Sequence, residues 1–114
     1  MPHFIIECSE TVLDVHSEEF ILEQIHHVAN STELFIESDI KVRLSPYKTY
    51  LVGNKREEFI HVFAHIMQGR STEQKAHLSK GIVAKLIELF PHIPNIAMNV
   101  SDFEKATYCN RAML

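Results

Sequence analysis

The sequence predicts a two-layer α/β sandwich of the α+β kind, in which duplicated β-α-β units form one four-stranded sheet with both helices on one face. Three observations predict it. Strand-period and helix-period segments follow one another as strand–helix–strand and then, after an interruption, strand–helix–strand again. Both helix starts carry capping residues, and a Gly53-Asn54 turn lies in the stretch that separates the halves. At 114 residues the chain is expected to form a single domain, residues 1–114, with pseudo-repeats over about 2–46 and 59–103. Each crossover should be right-handed.

Residues 3–9 are rich in β-formers and alternate, with Phe4, Ile6 and Cys8 on one face. Ser17 is placed to cap a helix whose first turn holds Glu18 and Glu19, where the helix dipole favours negative charge. Ile21, Ile25, Val28 and Ala29 form its apolar stripe, and it should end near Asn30. Residues 39–45 alternate again: Ile40, Val42 and Leu44 face one way and Lys41, Arg43 and Ser45 the other, with Pro46 expected to close the strand. Residues 47–58 read as a hairpin excursion through Gly53-Asn54. Phe59 to Met67 is the next strand, with Ile60, Val62, Ala64 and Ile66 facing the core.

Ser71 and Gln74 have the spacing of a capping box. The helix they open has a wide apolar face of Leu78, Ile82, Leu86 and Leu89, flanked by Val83, Ile87 and Phe90, and Pro91 and Pro94 stop it. Asn95 to Ser101 alternates, with Ile96, Met98 and Val100 on one face; beyond it there is little pattern. Two helices on one side leave the other sheet face bare, with Lys41, Arg43, His61, Phe63 and His65 on it, and assembly with further copies would cover it.

Composition narrows the function classes. An apolar fraction of 46% is ordinary for a globular protein, and the net charge of −4 argues against nucleic acid as the main partner. No apolar run approaches a membrane span and no leader is evident, so a cytoplasmic protein is expected. Cys8 and Cys109 are expected to be free, buried thiols. The eight histidines raise a metal hypothesis that their spacing does not support. His61 and His65 lie on a strand, about 13 Å apart, His26 and His27 should point apart on a helix, and no metal or cofactor is implied.

Three features could carry chemistry. Initiator methionine is usually trimmed before a small residue, so the mature chain would begin at Pro2, an otherwise ordinary second residue whose ring amine could then accept a proton near neutral pH. Arg70 lies in the turn before a helix N-terminus, where an anion is naturally held, and could grip a carboxylate with two hydrogen bonds; a solvated loop arginine is the alternative. Lys41 and Arg43 share a strand face, as a second cationic spot or as a wet or paired face.

The stretch Gly69-Arg70-Ser71-Thr72-Glu73-Gln74-Lys75 resembles the loop-and-helix start of the tautomerase superfamily, typified by 4-oxalocrotonate tautomerase. The opening Pro2-His3-Phe4-Ile5-Ile6-Glu7-Cys8-Ser9 and the segment Phe59-Ile60-His61-Val62 are similar to one branch of it, the 5-carboxymethyl-2-hydroxymuconate Δ-isomerases. The resemblance covers nearly the whole chain, weakening over residues 10–38 and after Phe103. It implies a tautomerase/MIF-like fold, a homotrimer, Pro2 as general base, and Arg70 as a substrate-binding arginine. Lys41 falls where the family usually has a second arginine, so it keeps the charge but loses the planar two-pronged grip, and Arg43 could take that role. The spacing from Pro2 to Val12 equals that from Ile60 to Arg70, so one unit has the proline and the other the arginine, which implies one site per chain drawn from both halves or from neighbouring chains.

The implied activity is a proton shift in an unsaturated 2-hydroxy or 2-oxo dicarboxylate, within homoprotocatechuate and related aromatic catabolism. Tyr47 and Tyr50 could wall the site. A tautomerase of other specificity, and a non-catalytic trimeric binding protein on the same scaffold, are the alternatives.

Overall fold

Both helices begin at their caps. Ser17 Oγ accepts from the Phe20 amide at 3.2 Å and opens α1, Glu18–Ser31. Ser71 and Gln74 close a reciprocal capping box, with the Ser71 amide donating to Gln74 Oε1 at 2.8 Å and the Gln74 amide to Ser71 Oγ at 3.1 Å, and open α2, Thr72–Leu89. The computed structural model describes all residues, 1–114. Its strands are β1 (His3–Ser9), β2 (Lys41–Tyr47), β3 (Phe59–Met67) and β4 (Asn95–Phe103). Short 3-10 turns cover Glu10–Asp14, Glu37–Asp39, Lys105–Thr107 and Arg111–Met113.

The sheet runs β2-β1-β3-β4. β1 pairs with β2 and β3 with β4 in parallel, each across a helical connection of the kind that parallel pairing requires. The central pair, β1 with β3, is antiparallel. The even-numbered side chains of β1 and β3 (Phe4, Ile6, Cys8, Ile60, Val62, Ala64) are buried against Ile21, Ile25 and Ala29 of α1 and Leu78, Ile82 and Leu86 of α2. Each large side chain buried there contributes roughly 1.5–3 kcal/mol, so these two stripes carry most of the drive to form the layers.

Local details depart from expectation in four places. β2 starts at Lys41 and runs through Pro46 to Tyr47; Pro46 does not end it, because an edge strand tolerates a residue without an N–H. The apolar face of α2 is narrower than its sequence suggests: Ile87 is 52% exposed while Phe90 is fully buried. His26 and His27 lie edge to face with centroids 5.7 Å apart rather than pointing apart, with His26 also 2.8 Å from Glu37. Cys8 is buried, which pushes its thiol up to about 12, but Cys109 is exposed. Gly53 and Asn54 both take positive φ (56° and 63°), and the tight turn they make is closed by a single bridge between Val52 and Lys55.

Candidate active site

The strand directions decide which residues meet. β2 is parallel to β1, so Lys41 begins β2 beside the start of β1, and its amide donates to Pro2 O at 3.1 Å. β3 is antiparallel to β1, so the far end of β3 returns to the same place, with His3 paired to His65. Beyond Met67 the chain turns at Gly69, whose φ of 124° is closed to most side chains, and delivers Arg70. Pro2, Lys41 and Arg70 thus gather at one end of the sheet although they come from three separate segments. In the first unit the corresponding strand-to-helix connection holds Val12, which is buried in the core.

Arg70 is half-buried and already engaged. Its Nη1 donates to Met67 O at 3.2 Å and its Nη2 to Leu34 O at 2.7 Å, while the guanidinium carbon lies 5.1 Å from the Phe35 ring centroid. A guanidinium has five N–H donors, so about three remain for a ligand. The capping box likewise occupies the amides of Ser71 and Gln74, leaving those of Thr72 and Glu73 at the helix end. Arg70 is therefore a clamp between the α1–β2 loop and the β3–α2 turn as well as a cation.

The terminal amine feels this surrounding charge. With Met1 in place the terminal amine is that of Met1, and the Pro2 nitrogen lies in a peptide bond. Burial depresses the Met1 amine below its ordinary 8.0; Asp39 opposes that, and Arg70 and Lys41 add to it. Arg43 lies one row further on, paired with Ile5, and its Nη1 is 3.1 Å from His3 Nδ1. Lys41 Nζ donates to Asp39 O at 3.1 Å. Lys41 and Arg70 are thus the cations at the N-terminus, and Arg43 reaches it only by way of His3, a residue the sequence did not single out.

The odd-numbered residues form rows across the bare face: Lys41, His3, His65 and Ser101, then Arg43, Ile5, Phe63 and Asn99, then Ser45, Glu7, His61 and Ala97. His61 pairs with Asn99 at 2.6 Å and stacks on Phe63. No three His, Cys, Asp or Glu side chains converge as a metal site would require.

Tyr47 and Tyr50 stand at the other end. Tyr47 closes β2, six residues and about 20 Å from Lys41, and donates its hydroxyl to Glu7 at 3.1 Å, which raises the Tyr47 pKa. Tyr50 packs edge-on to Phe59 at 5.5 Å under the Arg56 guanidinium. They cannot wall the Pro2 end of their own chain. Tyr50 borders instead a cleft of about 480 Å³ lined also by Leu51, Phe59, His61, Asn95 and Ile96 among others, whereas no cleft of the single chain is lined by Pro2, Lys41, Arg43 or Arg70.

Comparison with known proteins agrees with this architecture. The family model for 5-carboxymethyl-2-hydroxymuconate isomerase matches residues 2–108. No curated protein sequence matches the chain. Among solved structures, a 5-carboxymethyl-2-hydroxymuconate isomerase from Deinococcus radiodurans R1 superposes with a TM-score of 0.84 at 20% identity, over 96% of this chain and 88% of that one. The macrophage migration inhibitory factor of Toxoplasma gondii gives 0.75 at 10% identity, over 96% of each chain. The F6 fused 4-OT wild-type asymmetric trimer gives 0.79 at 9% identity, over 96% of this chain and 92% of that one. At these identities the structural likenesses speak for the fold.

Proposed function

The chain belongs to the 5-carboxymethyl-2-hydroxymuconate isomerase family and is an isomerase of the tautomerase kind; within that family we propose that it shifts a proton in an unsaturated 2-hydroxy or 2-oxo dicarboxylate, with the amine of Pro2 as general base. The substrate that fits this reading is 5-carboxymethyl-2-hydroxymuconate, in homoprotocatechuate catabolism, whose carboxymethyl arm adds a third carboxylate to the two of the muconate chain. The observation that carries it is the gathering of the chain's first residues with Lys41 and Arg70 at one end of the sheet, where both cations and burial disfavour a charged amine.

With Met1 removed, the Pro2 nitrogen takes a proton from the 2-hydroxyl of the diene, and the electron pair moves along the conjugated system as a dienolate. The proton returns at a carbon further along, giving the isomeric ketone with no net change in atoms or electrons. Arg70, with Lys41 or Arg43, binds carboxylates of the substrate and offsets the charge that develops.

We propose further that the working form is a homotrimer. The bare sheet face supports this, as does the likeness in fold to the fused 4-OT, itself an asymmetric trimer, and assembly would let the cleft bordered by Tyr50 and Phe59 approach a neighbour's Pro2. Kinetics on a panel of unsaturated diacids, with intact mass measured on the same sample, tests the assignment. A processed protein that isomerises none of them would overturn it.

A further inference from the structure

Arg43 has no acidic partner on its face. Its Nη1 instead meets Nδ1 of His3 at 3.1 Å. A guanidinium has no acceptor, so Arg43 must donate, and His3 Nδ1 must carry a lone pair. The ring proton is then on Nε2 and the imidazole is neutral. We propose that His3 is a positioning residue: its neutral imidazole, protonated at Nε2 alone, holds the Arg43 guanidinium one row from Lys41, where it receives the second carboxylate of a dicarboxylate ligand. This rests on the diacid reading above and names the group that sets its second cation.

The surroundings of His3 favour that form. Lys41 and Arg43 face it from β2, His65 from β3, and the terminal amine lies at the start of β1; with burial as the largest cause, all of them push its pKa below the ordinary 6.5. No carboxylate acts in the other direction; on β1 the nearest, Glu7, lies two rows away and is taken by Tyr47. Once protonated, His3 would turn an N–H toward a guanidinium and present a like charge to it. The hold on Arg43 is then lost, so the second cation is set at neutral pH and released in acid.

Equilibrium binding of adipate, an unreactive six-carbon diacid, tests this independently of turnover, with hexanoate as the monoacid control. His3→Phe removes the acceptor and should weaken adipate about tenfold while leaving hexanoate unchanged. His3→Asn keeps an acceptor oxygen near the Nδ1 position and should restore adipate to within about twofold. It should also abolish the part of the acid-side weakening that the parent shows as His3 titrates. Long-range 1H–15N NMR of the free protein should find the Nε2–H tautomer at pH 7 and a His3 titration that moves up in Arg43→Met. An Nδ1–H tautomer, equal adipate binding in parent and Phe variant, or an Asn variant as weak as Phe would each overturn the proposal. A protein that meets these tests yet isomerises no diacid would instead sink the enzymatic assignment and leave the His3–Arg43 device standing.

Discussion

The two ends of the sheet are built for opposite purposes. At the Pro2 end, Lys41, Arg70 and, through His3, Arg43 supply positive charge but border no cleft. At the other end, some 20 Å along the strands, Tyr50, Phe59 and Ile96 line a largely apolar cleft with His61 in its wall and no cation. The difference teaches that charge and shelter are divided between the ends of one chain. Charge collects where strand starts and a strand-to-helix turn meet, because loops and helix ends carry polar groups to the rim. The cleft forms where the Gly53-Asn54 excursion leans over the sheet. In the proposed trimer one chain's charged end would meet another's sheltered end.

The largest expected effect comes from blocking the Pro2 nitrogen. Chains that retain Met1, or are acylated at Pro2, should lose at least about 100-fold in kcat/KM, the usual worth of a general base, with intact mass identifying the blocked fraction. In processed chains the acid limb of kcat/KM against pH should lie below the roughly 8 of an ordinary α-amine, because the burial and the Arg70 and Lys41 charges that depress the Met1 amine would act on the adjacent Pro2 nitrogen. Full activity in chains of unprocessed mass would remove the charged end from the chemistry altogether.

Arg70→Ala should cost tenfold to a hundredfold in kcat/KM for a diacid, from about 1.5–3 kcal/mol of charge-assisted bonding. Because Arg70 also ties Leu34 to Met67, the same variant should melt at a lower temperature than the parent. Arg70→Lys separates the two effects: it keeps the charge and loses the fork. An Ala variant that melts lower but binds the diacid normally would reduce Arg70 to its clamp.

The sheltered end is tested by Tyr50→Ala, which should lower activity roughly threefold to tenfold, the value of one aromatic contact, although it lies far from Pro2 in its own chain. Mixing these chains with Pro2-blocked chains should give more activity than the two show separately, and native mass spectrometry should show mixed trimers. Additive behaviour with no recovery would mean that each chain works by itself.

The smallest effect should be Ser71→Ala. It opens the capping box and costs about 1 kcal/mol of stability by denaturant titration, with Pro2-end kinetics little changed. A large kinetic change there would mean that the helix end, not only Arg70, holds substrate.

Much of the fold was legible because its causes are local. The alternation that buried Phe4, Ile6, Ile60 and Val62, the caps at Ser17 and Ser71, and the positive-φ pair Gly53-Asn54 each depend on residues within a few positions of one another. Pro46 inside β2 and Ile87 on the surface escape such reading because their fates depend on which strand lies at the edge and how wide a face the sheet presents. The candidate cations Lys41, Arg43 and Arg70 could be picked out one by one, since charge at a turn or on a polar strand face is visible in sequence.

Their arrangement could not. The sequence by itself determined two βαβ units, their caps and their inward faces. Only the tertiary structure decided that β1 and β3 run antiparallel, and this alone brings Arg70 beside Pro2 and leaves Tyr47 and Tyr50 at the opposite end. It also decided that Arg70 is held by Leu34 and that Arg43 leans on His3, contacts between residues 36 and 40 positions apart. Periodicity reports the face on which a side chain sits, whereas its neighbour across the sheet is set by strand order and register, which are fixed only when the whole apolar layer packs at once.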